Sequence, residues 1–399
     1  MHIVAKRITK WLVRFASAFL PEDRALALER WRRGREDNWK FRRCDYVFAS
    51  YGKSGRTWVR VMISRYFTVA YQLPDRIIMG FDNFHKINRR VPKIFFTHDN
   101  YLRAYLGNPD SHKDFYHHKT VLLVRKPQDV AASQFFQWKF RMRPYKKALN
   151  KYPEHGADIS IFDFVMDSNK GLPRIIEYMN GWIRELDNFD HILVVRYEDL
   201  RSDPETQLSR LMAFLGEDAR PEVIKDTVEF ASVENMRKME SQNYFWRSGS
   251  RVQAKDASNP DSYKVRKAKV GGYRDYFDDE QIEAMAEYFA ALPVYKATVP
   301  HDAAKAKAEI GRAWGDAQTI RGPFVIVPTR REHTIQRGKV WKLGPRARSS
   351  PKITATSTEL TALSLGRDLL FPLAGTPFWS GIESFWQKLY DQLPASVAE

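Results

Sequence analysis

Short apolar runs recur along the first two thirds of the chain, and each is followed by polar residues and then by a helical pattern. The first run ends at Ala49, and the apolar residues after the next loop recur at intervals of three and four, as on one face of a helix. Further runs begin at Thr120 and Ile192, and Pro127 and Pro204 open the helical patterns that follow them. We therefore expect an α/β fold with three layers, in which helices flank a central parallel sheet.

One loop has the composition of a phosphate-binding turn. It follows the first apolar run, and its Gly52 and Gly55 permit backbone conformations that a Cβ disfavours. The next helix directs its unpaired N–H groups at the loop, and the ammonium of Lys53 adds positive charge. The nucleotide pattern G-x-x-x-x-G-K-[ST] is only half met, because Val47 stands where its first glycine belongs. On this loop alone, a structural turn that binds no anion is the alternative.

Three later segments favour the anion-binding interpretation. The second run leads to Arg125, and an arginine at the carboxyl edge of a sheet can clamp a phosphate. Ser133 lies two helical turns beyond this arginine. The third run ends in residues 197–199, Tyr-Glu-Asp. The last segment, residues 264–274, is a basic loop without an apolar period.

In this order, the four segments resemble the sulfotransferases that use 3′-phosphoadenosine 5′-phosphosulfate (PAPS). The loop of that family reads P-K-S-G-T-T-W and is matched by residues 52–58, except that Gly52 replaces the proline and Arg56 a threonine. The family's arginine and serine eight positions apart, its Y-E-D-L strand end and its late basic loop are matched by Arg125 and Ser133, by residues 197–200 and by residues 266–273. The resemblance extends over roughly residues 44–295.

The resemblance implies a P-loop-like fold, PAPS as the co-substrate, transfer of a sulfuryl group to an acceptor hydroxyl, and no metal. His98 stands in the family's T-H pair after a short apolar strand and would act as the general base, with a satisfied strand-end histidine as the alternative. Lys53 would stabilise the oxygen that bridges sulfur and phosphate. The residues implied to bind the donor are Lys53, Ser54, Gly55, Arg56, Thr57, Trp58, Arg125, Ser133, Tyr197, Ser232, Met236, Arg266, Lys267 and Ala268.

Two departures from the family pattern bear on this site. Phe96 stands where many members have a lysine before the T-H pair, and Arg56 is a candidate replacement for the missing cation. Val233 stands where the family often has an aromatic residue against the adenine, so that Trp58 would carry most of the stacking. These departures keep open an inactive, membrane-associated nucleotide-binding protein with the same fold. A P-loop kinase is the other alternative to a sulfotransferase.

Composition bounds the class of protein and its partners. The net charge of +17 suits anionic partners, and PAPS accounts for only part of it. Nucleic acid is not expected as a partner, because the sequence has no zinc pattern, no aromatic RNA-binding signature and no helix-turn-helix spacing. No His, Cys and carboxylate cluster has metal-ligand spacing. A single cysteine, Cys44, excludes an intrachain disulfide, and a hydrophobic content of 43% suits a cytoplasmic enzyme.

The ends of the chain differ from its centre. We divide it into an N-terminal helical extension (1–43), a sulfotransferase domain (44–300) and a partly disordered C-terminal extension (301–399). Residues 4–20 have a basic face and an apolar face with Trp11. Such a helix either lies peripherally on an anionic membrane surface or packs on its own domain, and a cleaved targeting segment is a third interpretation.

The acceptor is the least constrained feature of the sequence. We expect a small molecule, a glycan or a lipid, with the last two favoured. Aromatic residues that suit sugar rings or a lipid pocket follow Ser133, namely Phe135, Phe136, Trp138, Phe140 and Tyr145. Aromatic residues at helical spacing are, however, also typical of a core. The oligomeric state stays open.

Overall fold

The computed structural model of the chain describes residues 19–246 and 252–290. The chain divides into two compact units, residues 33–328 and residues 1–32 with 329–399. Most of the predicted amphipathic segment and all of the predicted C-terminal extension lie outside the described residues. The domain boundaries and the cellular location therefore stay predictions. Within the described ranges, no helix combines the length and the apolar character that crossing a membrane requires.

Four parallel strands form the sheet. They are β1 (Tyr46–Ser50), β2 (Ile94–Thr97), β3 (Thr120–Val124) and β4 (Ile192–Arg196). Their spatial order is β2-β1-β3-β4, in which Ala49 of β1 lies opposite Thr97 of β2 and Ser50 lies opposite Leu123 of β3. The apolar runs of the sequence thus form strands that pair in parallel, as predicted.

Helices connect the strands and follow them. In the part of the chain that the structure describes, the α-helices are α1 (Glu22–Phe41), α2 (Arg56–Ala70), α3 (Asn83–Ile87), α4 (Leu102–Tyr105), α5 (Pro127–Phe136), α6 (Pro144–Leu149), α7 (Ile161–Met166), α8 (Leu172–Glu185), α9 (Tyr197–Ser202), α10 (Pro204–Phe214), α11 (Pro221–Phe230), α12 (Val233–Ser241) and α13 (Asp279–Ala290). Shorter turns are the 3-10 segments Lys113–Phe115, Leu186–Asn188, Pro260–Ser262 and Gly272–Asp275 and the π-helical turn Gln137–Arg141.

Alternate side chains of the strands enter two cores, one on each face of the sheet. On one face, Val47, Ala49 and Leu122 pack with apolar residues of α5 and α8. On the other face, Phe48 and Val121 pack with apolar residues of α2, α10 and α11. Because the strands are buried on both faces, their sequences are continuously apolar rather than alternating. The prediction of a three-layer α/β fold is confirmed.

Local sequence signals explain where α10 begins and ends. Pro204 occupies its first turn, where an N–H would have no intrahelical partner. The carboxylate of Asp203 caps the helix by accepting a hydrogen bond from the N–H of Thr206 at 3.2 Å. Gly216 lies just beyond the helix with a φ of +85°, a conformation that favours glycine. The predicted proline start and glycine stop are therefore present.

The strand β4 ends earlier than predicted. The expectation that it ends in Tyr197, Glu198 and Asp199 is wrong, because these residues form the first turn of α9. Arg196 pairs with Val124, the last residue of β3, so the neighbouring strand offers no partner beyond this point. The turn also lets the Glu198 carboxylate accept a hydrogen bond from the N–H of residue 126 at 2.9 Å.

The aromatic residues after Ser133 form a small core of their own. Phe135, Phe136 and Trp138 are buried and pack with Phe164 of α7. Trp138 also donates a hydrogen bond from Nε1 to the carbonyl of residue 153 at 2.9 Å. The core interpretation of their helical spacing is thus confirmed for these three side chains.

The two cores predict that truncating an isoleucine has a cost that depends on its position. Ile63 of α2 is fully buried, whereas Ile87 at the end of α3 is 52% exposed. We expect Ile63→Ala to lower the free energy of unfolding by ~2–5 kcal/mol, because it removes buried atoms and leaves a cavity. The matched variant Ile87→Ala should change it by less than ~0.5 kcal/mol. Urea titrations followed by circular dichroism measure both, and equal costs would contradict the core position of Ile63.

Candidate active site

The predicted site residues lie at the carboxyl edge of the sheet. The chain passes from β1 to β2 on one side and later places β3 on the other side of β1. In open α/β sheets, ligands bind at such a switch point, beyond the carboxyl ends of the strands. Residues 51–55, His98 and Arg125 directly follow β1, β2 and β3 and therefore surround this crevice.

Lys53 and Gly55 shape the loop after β1. Their φ angles are +70° and +99°, whereas Gly52 does not have a positive φ. The prediction that Gly52 supplies a special backbone conformation is therefore wrong, and its Cα instead faces Oε1 of Gln134, which would lie 3.2 Å from an added Cβ. An added Cβ at Gly55 would lie 2.6 Å from the ring of Tyr197, so this position requires glycine for space as well as for φ.

Five of the predicted donor ligands carry a hydroxyl group, and three of these lie in or near the phosphate loop and in α5. Ser54 is fully buried in the loop, Thr57 lies in the first turn of α2, and Ser133 lies in α5. The buried hydroxyl of Ser54 has no hydrogen-bond partner among the described residues. Buried polar groups are normally partnered, so this hydroxyl is suited to a ligand oxygen.

His98 is held in one tautomer. Its Nδ1 lies 2.8 Å from the carbonyl oxygen of Ser50, which can only accept, so Nδ1 carries the proton. Its Nε2 lies 2.6 Å from Nη2 of Arg56, which can only donate, so Nε2 is the acceptor. Burial and the charge of Arg56 hold the pKa of His98 well below its usual value. The ring is therefore neutral at pH 7, with its lone pair on Nε2.

A buried ion-pair network fixes the backbone next to His98. Asp99 has a φ of +54°, and its N–H donates to Oγ1 of Thr97 at 2.8 Å. Its buried carboxylate lies 2.6 Å from Nε of Arg103 and 3.3 Å from Nε2 of His112. Because Asp99 is engaged in this way, it positions the T-H segment rather than facing a ligand.

Phe96 stands where many sulfotransferases have a lysine, and arginines of α2 supply positive charge in its place. The guanidinium carbon of Arg60 lies 3.8 Å from the centre of the Phe96 ring, a cation–π contact. Arg60 is itself 8% exposed and lies one helical turn after Arg56. Both arginines lower the pKa of His98, which places their positive charge close to the ring. Arg56, the candidate replacement for the lysine, therefore contacts His98, and Arg60 lies over the ring of Phe96. Arg60 was not predicted from the sequence.

Asp129 joins Arg125 to the basic loop. Arg125 donates to the carbonyl of Lys53 at 3.2 Å, and its guanidinium carbon lies 4.2 Å from the centre of the Tyr197 ring. Its Nη2 lies 3.7 Å from the Asp129 carboxylate. That carboxylate also accepts hydrogen bonds from the N–H groups of residues 271 and 273 at 2.9 and 3.0 Å. The loop is thereby fixed beside the predicted 3′-phosphate site.

The basic loop contains Arg266 and Lys267, the two charged residues of the last segment that were predicted to bind the donor. The guanidinium carbon of Arg266 lies 3.5 Å from the centre of the Phe136 ring, and its Nη1 donates to Asp261 at 3.2 Å. Lys267 is half exposed and donates to Asp275 at 3.0 Å. Ala268 follows with a φ of +51°. Both side chains already have a carboxylate partner, so an anion would share or displace it.

Trp58 connects the phosphate loop to the segment that is predicted to lie beside the adenine. Its Nε1 donates to the carbonyl of Ala231 at 2.7 Å, and its ring lies edge-on to Tyr197 with 5.8 Å between centroids. Ser232 caps α12 by accepting from the N–H of residue 235 at 3.3 Å. Met236 is buried in the core on the α2 face. Trp58 thus ties the phosphate loop to the 231–236 segment.

Glu240 is a functional candidate that sequence reasoning missed. It is fully buried, and its carboxylate accepts hydrogen bonds from the N–H groups of Lys264 and Val265 at 2.6 and 2.9 Å. The same carboxylate lies 3.3 Å from Arg141, which also donates to the carbonyl of Ser262. The start of the basic loop is therefore held against α12.

Lys264 is the third missed residue, although it lies within the basic segment of the sequence. Burial, then the charges of Arg141 and Arg56, lower its pKa to about 7. Burial and the neighbouring Lys264 likewise lower the pKa of Lys53 well below its usual value. Cations that lower each other's pKa in this way repel one another, and a bound anion would offset this repulsion. Within residues 19–246 and 252–290, no group of three or more His, Cys, Asp or Glu side chains is arranged to hold a metal ion.

A parallel sheet with a strand, a glycine-containing turn and a helix that carry clustered cations at its edge define an α/β protein with a P-loop-like site. The chain belongs to the sulfotransferase family, because the model of the sulfotransferase domain matches residues 43–299.

Individual relatives are distant. Sulfotransferase 2A1 of Mus musculus is 26% identical over 207 residues, which cover 51% of this chain and 64% of the relative, just under two thirds of its length. Amine sulfotransferase of Oryctolagus cuniculus is 25% identical over 264 residues, which cover 63% of this chain and 82% of the relative. Among solved structures, mouse sulfotransferase SULT7A1 complexed with PAP has a TM-score of 0.43 and 19% identity and covers 67% of this chain and 89% of that one.

A lysine that titrates near neutral pH predicts pH-dependent anion binding. Lys264 is charged below pH of about 7 and neutral above it, so its contribution to the affinity for 3′-phosphoadenosine 5′-phosphate (PAP) should be lost as the pH rises. Lys264→Arg keeps its charge and serves as the matched control. We expect the ratio of wild-type to Lys264→Arg affinity to fall by up to ~10-fold per pH unit above this pKa. Calorimetry that gives a constant ratio between about pH 6 and 9 would contradict a titrating Lys264 in the site.

Proposed function

We propose that the chain transfers a sulfuryl group from PAPS to the hydroxyl of an acceptor molecule. The observation that carries this proposal is the arrangement at the sheet edge, where a neutral His98 with its lone pair on Nε2 lies beside the cationic loop of Lys53. A proton acceptor next to an anion site is what this transfer requires. Membership of the sulfotransferase family supports the same reaction.

The reaction is an in-line displacement at sulfur, by analogy with phosphoryl transfer. The acceptor oxygen forms a bond to sulfur while the bond from sulfur to the 5′-phosphate oxygen breaks. His98 takes the acceptor proton on Nε2, and PAP leaves with the electron pair of the broken bond. Lys53 neutralises the negative charge that develops on the departing oxygen, which is the larger electrostatic contribution in such reactions.

The 3′-phosphate of the donor is assigned to the crevice between β3 and the basic loop. We assign to it Arg125, which follows β3, Ser133 of α5, and Arg266 and Lys267 of the loop that Asp129 holds in place. A guanidinium binds phosphate in two-point contacts, which distinguishes a 3′-phosphorylated nucleotide from ATP. A kinase is less well supported, because the two strands that follow the phosphate loop lead to His98 and Arg125 instead of an acid that binds magnesium.

We propose an apolar small molecule as the acceptor, in preference to a glycan. The aromatic residues that suited sugar rings, Phe135, Phe136 and Trp138, are packed in a core. The relatives have names that point to small acceptors, such as the rabbit amine sulfotransferase. A screen of steroid alcohols, phenols, amines and oligosaccharides with radiolabelled PAPS tests this choice, and transfer to oligosaccharides alone would sink it.

Donor specificity is the first test of the proposal. PAP should bind far more tightly than AMP, because only PAP has the 3′-phosphate to which Arg125 is assigned. Hydrogen bonds to charged groups contribute ~1.5–3 kcal/mol each, so the loss of one corresponds to a roughly 10- to 150-fold weaker binding. Arg125→Ala should remove most of the difference between the two nucleotides. Isothermal titration calorimetry measures this, and equal affinities in the wild-type protein would refute the donor assignment.

The general base is the second test. His98→Ala should lower the turnover of sulfuryl transfer by ~10²- to 10⁴-fold, because it removes the side chain that is proposed to take the acceptor proton. Its PAP affinity should survive, whereas Lys53→Ala should weaken both transfer and PAP binding. His117→Ala is the matched control, because His117 is 85% exposed and pairs with Asp190 on the surface. Near-normal turnover of His98→Ala, or equal losses in the control, would assign the base to another residue.

A further inference from the structure

Arg56 covers the nitrogen that the proposed reaction needs. The 2.6 Å contact joins Nη2 of Arg56 to Nε2 of His98, and a guanidinium offers donors only. The other ring nitrogen is committed to the carbonyl of Ser50. A neutral imidazole has one lone pair, so the atom that would take the acceptor proton is already accepting a hydrogen bond.

Arg56 also lies where the donor's anionic group is expected. It is the first residue of α2 and follows Gly55, so it shares the crevice with the unpaired N–H groups of the helix start. A guanidinium forms charge-assisted hydrogen bonds to phosphate or sulfate oxygens, and these are about twice as strong as bonds between neutral groups. A phosphosulfate is therefore a better partner for Arg56 than the neutral ring of His98.

We propose that Arg56 is a donor-operated gate on His98, which keeps Nε2 covered until the 5′-phosphate of the donor, which PAP shares, draws the guanidinium away. The proposal rests on the sulfuryl-transfer function proposed above and adds an order of events to it. Without donor, His98 cannot accept a proton from an acceptor hydroxyl. With donor bound, Nε2 faces the acceptor. Arg56 is thus a positioning residue that makes productive binding start with the donor.

The charges around the ring act in the same direction. Arg56 and Arg60 face His98 from α2, Lys264 faces it from the basic loop, and all three lower its pKa beyond the effect of burial. The carbonyl of Ser50 raises the pKa. Withdrawal of the guanidinium and arrival of an anion both raise it again, towards the neutral range where a general base is most effective. The gate therefore uncovers the base and restores its basicity in one step.

Nuclear magnetic resonance of 15N-labelled histidine tests the gate directly. The Nε2 signal of neutral His98, assigned by its loss in His98→Ala, reports whether the lone pair accepts a hydrogen bond. In the wild-type protein, saturating PAP should move this signal and raise the pKa of His98. In Arg56→Thr, which carries the family's residue, the signal of the free protein should already lie near the PAP-bound position and should move little on PAP addition.

A control variant and the wild-type titration make the outcome decisive. Arg65→Thr is matched to Arg56→Thr, because Arg65 lies on the same helix but donates to Asp226 at 2.7 Å. It should respond to PAP like the wild-type protein. PAP binding that leaves the wild-type Nε2 signal and pKa unchanged overturns the gate and leaves the proposed function standing, even if Arg56→Thr does not fold. Absence of PAP binding in calorimetry overturns both.

Discussion

Positive charge crowded at one edge of a parallel sheet is the constraint on which the site depends. The cations come from the loop after β1, from α2, from the end of β3, from the π-helical turn and from the basic loop. Burial and then the charges of these neighbours lower the pKa of Lys53 and Lys264. Two buried carboxylates, Asp129 and Glu240, lie beside the nearest arginines and offset part of this repulsion. The positive charge that remains unneutralised is what attracts and orients an anion.

Positive charge lies close to the T-H pair although Phe96, and not a lysine, precedes it. Phe96 presents a ring face on which the Arg60 guanidinium lies, while Arg56 reaches His98. Arginine cannot be neutralised at physiological pH, whereas a buried lysine can. The helix that follows the phosphate-loop motif therefore also carries the cations that face His98, and the proposed donor binding and proton transfer both depend on the placement of α2.

The sequence predicted those features that short segments encode. The strand, the turn and the helix start around Lys53 are read from consecutive residues, and so is the proline start of α10. The roles of Glu240 and Arg60 were not predicted, because each depends on a partner brought near only by tertiary packing, Lys264 in one case and Phe96 in the other. The backbone conformation expected of Gly52 belongs instead to Lys53, since composition indicates a tight turn but not which of its residues takes the positive φ.

The anchoring of the basic loop has a consequence for how such a site can diversify. Asp129 and Glu240 accept hydrogen bonds from the backbone N–H groups of residues 264, 265, 271 and 273 of the loop. Every amino acid except proline offers the same N–H group. Substitutions between the two anchors can therefore change the side chains that face the ligand while the path of the main chain is retained, so this segment can be retuned during evolution without being rebuilt.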